Sequence, residues 1–405
     1  MANILKQHQQ DTVDKCPNKW ALWFKMRVGK TPTAIKLADT RCKSTLVICP
    51  KYLVFNWQQE INKWSDKSCH FTVISKETFR RDYEILPYYE AIIIDECHLG
   101  FANYKSQLHK SVMFYIKKHN ISFIWLLTGT PATSNEWATY SYGKILGKNW
   151  DWYKWNQYFF RQIKMGRRTI PVFNEKMRGK LQELLRSIGT VISLEDVANV
   201  ADDCDIIETF SLTKEQKTEI ENITEVLPIT RYTKIHMIES GILKGDNYIN
   251  DKWFKSEKDN RILKLCQENN RIIIVVRYLA LIDKYRSMIM PILKDRHIYE
   301  ISGRIKEGAS MVAKEIEADN GKMVVILQSD TVAGYSLMSI DTMVFASLSY
   351  SFVNYDQARS RIKNMEKHTP CTYIHLLTEG KSVDKGVFDC IQDKKDFDVE
   401  LFSGK

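Results

Sequence analysis

The chain has 405 residues, room for two domains each with its own core, and at 44% hydrophobic and 27% charged it has ordinary globular composition. Lys plus Arg total 59 against 49 for Asp plus Glu, and the formal net charge of +10 favours a polyanionic partner. Nine scattered cysteines with no Cys-x-x-Cys pair argue for a reducing compartment and against zinc, while a polar start (Met1-Ala2-Asn3-Ile4-Leu5-Lys6-Gln7) and the lack of any membrane-length apolar run exclude a signal peptide and a spanning helix, so a soluble cytoplasmic protein with no membrane partner is expected.

The first strand-like run, 21–24, leads into Gly29-Lys30-Thr31. A phosphate chain needs backbone N–H donors, a cation and a metal. Gly29 lets the backbone approach closely, Lys30 supplies a cation for the β- and γ-phosphates, and the Thr31 hydroxyl suits Mg²⁺. Pro32 fits because the first turn of a helix can spare an N–H. A solvated helix start is the plainer alternative. After the runs 45–49 and 71–75 comes Ala91-Ile92-Ile93-Ile94, which has no polar alternation and reads as a central parallel strand covered on both faces. It ends in Asp95-Glu96-Cys97-His98, at the strand end where open α/β sheets bind ligands. Asp95 is expected to hold Mg²⁺, and Glu96 to orient or deprotonate an attacking water; adjacent strand residues point apart, so the roles are separable. The run 123–127 delivers Thr128-Gly129-Thr130-Pro131, whose hydroxyls at 128 and 130 are expected to hydrogen-bond His98 and move with the phosphate site. An ordinary Gly/Pro turn would also explain that segment.

Residues 136–190 change character. They hold Trp137, Trp150, Trp152 and Trp155, then a basic stripe (Arg161, Lys164, Arg167, Arg168, Lys176, Arg178, Lys180), then the helical pattern Leu181-Gln182-Glu183-Leu184-Leu185-Arg186. The stretch 213–226 is polar and helix-prone. Strand-like runs then resume at 272–276, 298–302, 323–327, 342–346 and 372–376. Strands alternating with helices in both halves predict two similar α/β domains joined by a mainly helical connector.

Taken together, the segments resemble the superfamily-two DExH helicases and, within them, the Swi/Snf-like DNA translocases. Leu5-Lys6-Gln7-His8-Gln9 is similar to the adenine-reading glutamine motif, with Gln9 as its glutamine. Lys25 to Thr31 resembles motif I; Leu46-Val47-Ile48-Cys49-Pro50-Lys51 with Asn56, Trp57 and Glu60 resembles motif Ia; Ser75-Lys76-Glu77-Thr78 resembles the next nucleic-acid segment. Asp95 to His98 stands as motif II, and Leu127-Thr128-Gly129-Thr130-Pro131 as motif III. In the second half Ile274-Val275-Val276-Arg277-Tyr278 falls at motif IV, followed by Ile301-Ser302-Gly303; Ser329 to Leu337 resembles motif V, and Tyr355-Asp356-Gln357-Ala358-Arg359-Ser360-Arg361-Ile362 resembles motif VI. Two positions depart from the pattern. Arg27 stands where the family usually has glycine, and Asn364 where motif VI usually has its second arginine, with Arg359 or Lys363 as candidate substitutes.

The resemblance implies two tandem RecA-like parallel-sheet domains with a helical connector: 1–205, binding ATP and carrying a helical and basic insertion at about 136–190, and 206–405, holding the connector helices and the second sheet. It implies an ATP- and Mg²⁺-dependent DNA helicase or translocase of the compact viral or phage kind, working in replication, recombination or repair, in the cytoplasm or inside an infected host cell, and as a monomer. Lys30, Asp95, Glu96, Gln357 and Arg361 would be catalytic, Arg361 as an arginine finger on the γ-phosphate. Gln9, Gly29, Lys30, Thr31 and Gly334 would bind nucleotide, with Thr31 and Asp95 on the metal, and His98, Thr128 and Thr130 would couple the two events. Lys51, Asn56, Trp57, Ser75, Thr78, Arg167, Arg168, Ser329 and Thr331 would touch DNA, duplex or forked in preference to RNA. Trp57 would either stack on a base or, as tryptophans after strands more often do, pack. An ATP-gated DNA-binding module with weak hydrolysis and an RNA helicase are the alternatives.

Overall fold

Unbroken runs of Val, Ile and Leu become the central strands of two parallel sheets, and the amphipathic segments between them become the helices that cover both faces. The computed structural model describes residues 4–131, 136–165, 168–198, 202–244, 251–305, 308–331, 334–393 and 397. The chain divides into two compact units, Met1–Ala198 and Asn199–Lys405.

In the first unit the strands are β1 (Lys19–Phe24), β2 (Ser44–Cys49), β3 (His70–Ser75), β4 (Ala91–Asp95), β5 (Phe123–Leu127), β6 (Phe160–Met165), β7 (Arg168–Phe173) and β8 (Gly189–Ile192). The helices are α1 (Gln7–Lys15), α2 (Lys30–Arg41), α3 (Val54–Trp64), α4 (Lys76–Asp82), α5 (Gln107–His119), α6 (Ala138–Ile145), α7 (Trp152–Phe159) and α8 (Arg178–Arg186). Six strands form one parallel sheet in the order β3-β2-β4-β5-β1-β8. Its core includes Ile92, Ile94, Ile124, Leu126, Leu46 and Ile48. The edge strand β8 reaches β1 because Gly189 has no side chain: a Cβ there would lie 2.2 Å from the Trp23 Nε1 atom, which donates to the Leu185 carbonyl at 3.0 Å.

The insertion is only partly helical. β6 and β7 form an antiparallel hairpin, in which Arg161 faces Val172 and Ile163 faces Ile170. Phe160, Ile163 and Met165 do not alternate with the polar residues of β6, so from its charge alone this stretch reads as a solvated run rather than a strand. The tryptophans pack beside the hairpin: Trp155, Phe159 and Phe160 are buried with Tyr140 and Leu181, and Trp137, Trp150 and Trp152 lean on them.

In the second unit the strands are β9 (Cys204–Phe210), β10 (Ile242–Leu243), β11 (Lys252–Trp253), β12 (Arg271–Val276), β13 (His297–Ile301), β14 (Met323–Gln328), β15 (Thr342–Phe345) and β16 (Thr372–Thr378). The helices are α9 (Lys214–Glu221), α10 (Pro228–Glu239), α11 (Glu257–Glu268), α12 (Leu279–Ile289), α13 (Ala309–Ala318), α14 (Phe352–Arg359) and α15 (Val383–Gln392). The sheet is again six-stranded and parallel, in the order β13-β14-β12-β15-β16-β9, so β9 at 204–210 belongs to this sheet. Both faces are covered: Ile273, Val275, Val325 and Leu327 pack into one core, and Ile272, Ile274, Val324 and Ile326 into the other. Two tandem RecA-like α/β units are the architecture; the hairpin lies within the first unit, ahead of β8, and α9 and α10 follow β9 within the second. Among the described residues no helix is long and apolar enough to cross a membrane.

Candidate functional site

β4, β5 and β1 are neighbours in the first sheet, so their carboxyl ends deliver residues 95–98, 128–131 and 25–31 to one place. Gly29 caps α2 with φ +84°, and a Cβ there would meet Gln9 Nε2 at 2.0 Å. Arg27, where glycine was the family expectation, also has positive φ, at 66°. The loop therefore keeps a glycine-like backbone at a residue that strains to hold it, at about 1 kcal/mol. Lys30 donates its ammonium to the Phe24 carbonyl at 3.0 Å, and a Cβ on Gly129 would lie 3.4 Å from that Nζ. Thr31 stands in the first turn of α2, half-buried. Gln9 is buried and already bonded: its Oε1 accepts the Lys6 N–H at 2.8 Å and its Nε2 donates to the Gly29 carbonyl at 3.3 Å. It is thereby fixed over the phosphate loop, and reading adenine would require exchanging these bonds.

Asp95, the last residue of β4, is 5% exposed; its Oδ2 accepts the Trp57 indole N–H and its Oδ1 the Glu96 N–H, each at 2.8 Å. Burial pushes this carboxyl above its ordinary value and the charge of Glu96 adds to that, while the Trp57 N–H and the Lys30 charge oppose them. Glu96 has φ 45°, the left-handed region, which turns the chain sharply off the strand. His98 Nδ1 lies 2.8 Å from Thr128 Oγ1 and 3.3 Å from Glu96 Oε2, and Thr128 Oγ1 lies 3.5 Å from that same carboxylate oxygen. Thr130 joins through its N–H, which donates to Thr128 Oγ1 at 3.1 Å. Glu96, His98, Thr128 and Thr130 are thus one buried hydrogen-bonded group, built from two adjacent strand ends.

The nucleic-acid candidates divide. Lys51 is exposed and Asn56 half-buried. Trp57 is 1% exposed and its indole N–H donates to Asp95, so it packs, as a tryptophan after a strand more often does, rather than presenting its ring to a base. The exposed aromatic on α3 is instead Phe55, 64% exposed. Ser75 caps α4 by accepting the Thr78 N–H at 3.1 Å, and its hydroxyl lies 3.1 Å from Thr78 Oγ1. Arg167 lies outside the described residues, and of Arg168 only the backbone, the start of β7, is described.

In the second unit Ser329 is buried, and Thr331 donates its hydroxyl to the Gln328 and Ile301 carbonyls at 2.9 and 3.3 Å. Gly334 has φ +87° and its carbonyl accepts from Ser310 Oγ at 3.2 Å. Arg361 is 5% exposed and donates from Nη1 to the Tyr335 carbonyl at 2.7 Å and from Nε to the carbonyl of Gln357, itself buried, at 2.9 Å. It clips residues 335 and 357 together, and a finger role would require exchanging these bonds for phosphate. Asn364 accepts the Glu366 and Lys367 N–H groups at 2.8 and 2.9 Å, a local turn cap. The two candidate substitutes are engaged elsewhere: Arg359 binds Asp205 with its two Nη atoms at 2.5 and 2.8 Å, and Lys363 binds Asp203 at 2.8 Å.

Lys76 is the functional candidate that sequence reasoning passed over. It lies within Ser75-Lys76-Glu77-Thr78, where nothing in the residue pattern marks a lysine as buried. Among the described residues no group of three or more His, Cys, Asp or Glu could hold a metal alone. No protein-family model matches this sequence, and no curated protein matches it. Among solved structures it is similar to the SWI2/SNF2 ATPase core of Sulfolobus solfataricus in complex with double-stranded DNA, at 17% identity and a TM-score of 0.44, covering 100% of this chain and 93% of that one.

Proposed function

We propose that this chain is an ATP- and Mg²⁺-dependent DNA translocase or helicase of the Swi/Snf-like kind, serving replication, recombination or repair. The observation that carries the reading is the convergence of Lys30, Asp95, Glu96 and the His98–Thr128 pair on three adjacent strand ends. The residues fit a metal–triphosphate. Gly29 and Gly129 leave room where a Cβ would crowd Gln9 or Lys30, and a cation and a buried carboxylate flank that room. Thr31 and Asp95 would hold Mg²⁺, which when bound neutralises phosphate charge. Lys30 neutralises the phosphates from its own side, Glu96 takes a proton from the attacking water, and His98 with Thr128 holds the Glu96 carboxylate in place. Lys51, Asn56 and Phe55 offer a cation, an amide and an exposed ring for a polynucleotide, and the net charge of +10 agrees.

A second reading, an ATP-gated DNA-binding module with slow hydrolysis, is favoured by one observation: Asn364 is a turn cap, and Arg359 and Lys363 are already paired with acids. Phosphate release measured with and without Mg²⁺, and with no polynucleotide, single-stranded, duplex and forked DNA, and RNA, separates the readings. Turnover that rises with DNA is expected; ATP binding with no DNA-stimulated turnover supports the second reading, and no ATP binding ends both.

A further inference from the structure

Lys76 is the first residue of α4, yet it is only 5% exposed. A lysine at the start of a helix ordinarily extends its ammonium into water, and burying that charge is costly unless the surroundings replace the lost hydration. Here the ammonium enters the turn that follows β4. Its Nζ donates to the Glu96 carbonyl at 2.7 Å and to the Leu99 carbonyl at 3.0 Å, and it stands 5.4 Å from the centre of the Phe101 ring. The Leu99 N–H also donates to the Glu96 carbonyl, at 2.8 Å. The Glu96 carbonyl therefore holds two donors, at the one residue of this turn that is not glycine and yet has positive φ, 45°.

That conformation needs support. A residue other than glycine is strained in the left-handed region, where Glu96 stands. The charge-assisted hydrogen bonds of the Lys76 ammonium, one to the Glu96 carbonyl itself and one to the end of the turn at Leu99, oppose that strain. Holding the Glu96 carbonyl fixes the 96–97 peptide, and from the same residue the carboxylate lies beside His98 and Thr128.

We propose that Lys76 is a positioning residue for hydrolysis: its ammonium holds the residue 96–99 turn so that Glu96 faces the attacking water. The proposal rests on the hydrolase reading above and assigns it a residue outside the phosphate loop and the acid pair. It also connects two parts of the first unit. Ser75 and Thr78, on either side of Lys76, are candidate polynucleotide contacts, so a ligand that moved the start of α4 would act on the carbonyl of the general base through one side chain.

Lys76→Met tests this, because it keeps the length and apolar stem and removes only the donors. We expect Mg·ATP affinity within about twofold of wild type and single-turnover hydrolysis slowed about 10- to 100-fold, the loss expected when a general base is misplaced. A purely structural lysine would lower activity equally whether or not Glu96 works. We therefore expect Lys76→Met to have no further effect in a Glu96→Gln background, and a full additional loss there overturns the proposal. Lys76→Arg, which keeps a buried cation and does not depend on the Met variant folding, is expected to retain more turnover than Met at unchanged nucleotide affinity; a wild-type rate in a soluble Lys76→Gln variant overturns it. Wild-type turnover in Lys76→Met overturns this proposal alone, whereas a wild-type protein that never hydrolyses ATP overturns the hydrolase reading and this proposal with it.

Discussion

Lys30 and Glu96 differ in what holds them, and that difference sets what their loss should do. Lys30 donates its ammonium to the Phe24 carbonyl, beside Gly129, at the start of α2. Lys30→Ala is expected to weaken nucleotide binding and to lower turnover at least about a hundredfold, because the phosphates lose their cation. Glu96→Gln keeps the size of the side chain in the His98–Thr128 group and removes its basicity. It should bind ATP as wild type and lose turnover, read as trapped unhydrolysed nucleotide. Normal steady-state rates in either variant would remove the hydrolase reading. Arg361 carries a double expectation. Its guanidinium joins two backbone carbonyls of its own unit, so Arg361→Ala should cost about 1–3 kcal/mol of stability on top of a turnover loss of about a hundredfold. An unchanged thermal midpoint would show that the clip contributes nothing; a lost midpoint with normal turnover in the folded fraction would remove the finger.

Elements were readable in the sequence where one rule governed them. β4 and β12 are buried on both faces, so each is a plain apolar run, and each appeared at close to its final bounds. β9 is an edge strand with most of its side chains exposed, and Cys204-Asp205-Ile206-Ile207-Glu208 offers neither a run nor a clean alternation. Pairings distant in sequence leave no local signal at all. In the second unit Lys258 on α11 binds Asp384 on α15 at 2.5 Å, His236 on α10 lies 3.0 Å from the same carboxylate, and Thr378 on β16 donates to it at 2.8 Å. All four are buried, and Lys258 holds the Asp384 carboxyl far below its ordinary value against the opposing cost of burial. Lys258→Met should destabilise the protein by about 3–5 kcal/mol, since it strands a buried carboxylate, and pairing it with Asp384→Asn should recover part of that loss. Denaturant midpoints for the two single variants and the double variant decide it; additive losses would mean the pair is not coupled. The hairpin carries a different kind of expectation. Arg161 and Lys164 are exposed on β6, and reversing both to Glu should weaken DNA binding alike across sequences and lower the logarithmic salt slope by about one unit per lost phosphate contact. An unchanged slope would leave them as solvated surface.

At the scale of the whole molecule the groups proposed as catalytic are divided between the units. Lys30, Asp95 and Glu96 belong to Met1–Ala198, and Gln357 and Arg361 to Asn199–Lys405. If hydrolysis needs groups from both, each unit alone is incomplete, and the basal rate is limited by how often the two are brought into register. A polynucleotide that binds both units restricts that search and favours the productive state. If Arg361 is the finger, its release from the Tyr335 and Gln357 carbonyls is a cost that a bound ligand must offset. On the resemblance of residues 46–51 and 355–362 to Swi/Snf-like segments we propose duplex DNA as that ligand in preference to RNA, and the charge of +10 is consistent with either. Duplex DNA is therefore expected to raise turnover at saturating ATP at least about tenfold, equivalent to about 1.4 kcal/mol of barrier. The measurement is phosphate release with duplex DNA, single-stranded DNA and RNA of matched length. Equal rates with and without duplex would remove the motor, and stronger stimulation by RNA would replace its track. Because phosphate contacts dominate such binding, the stimulation should also shift to higher DNA concentration as salt rises, whereas the rate at saturating DNA should change little.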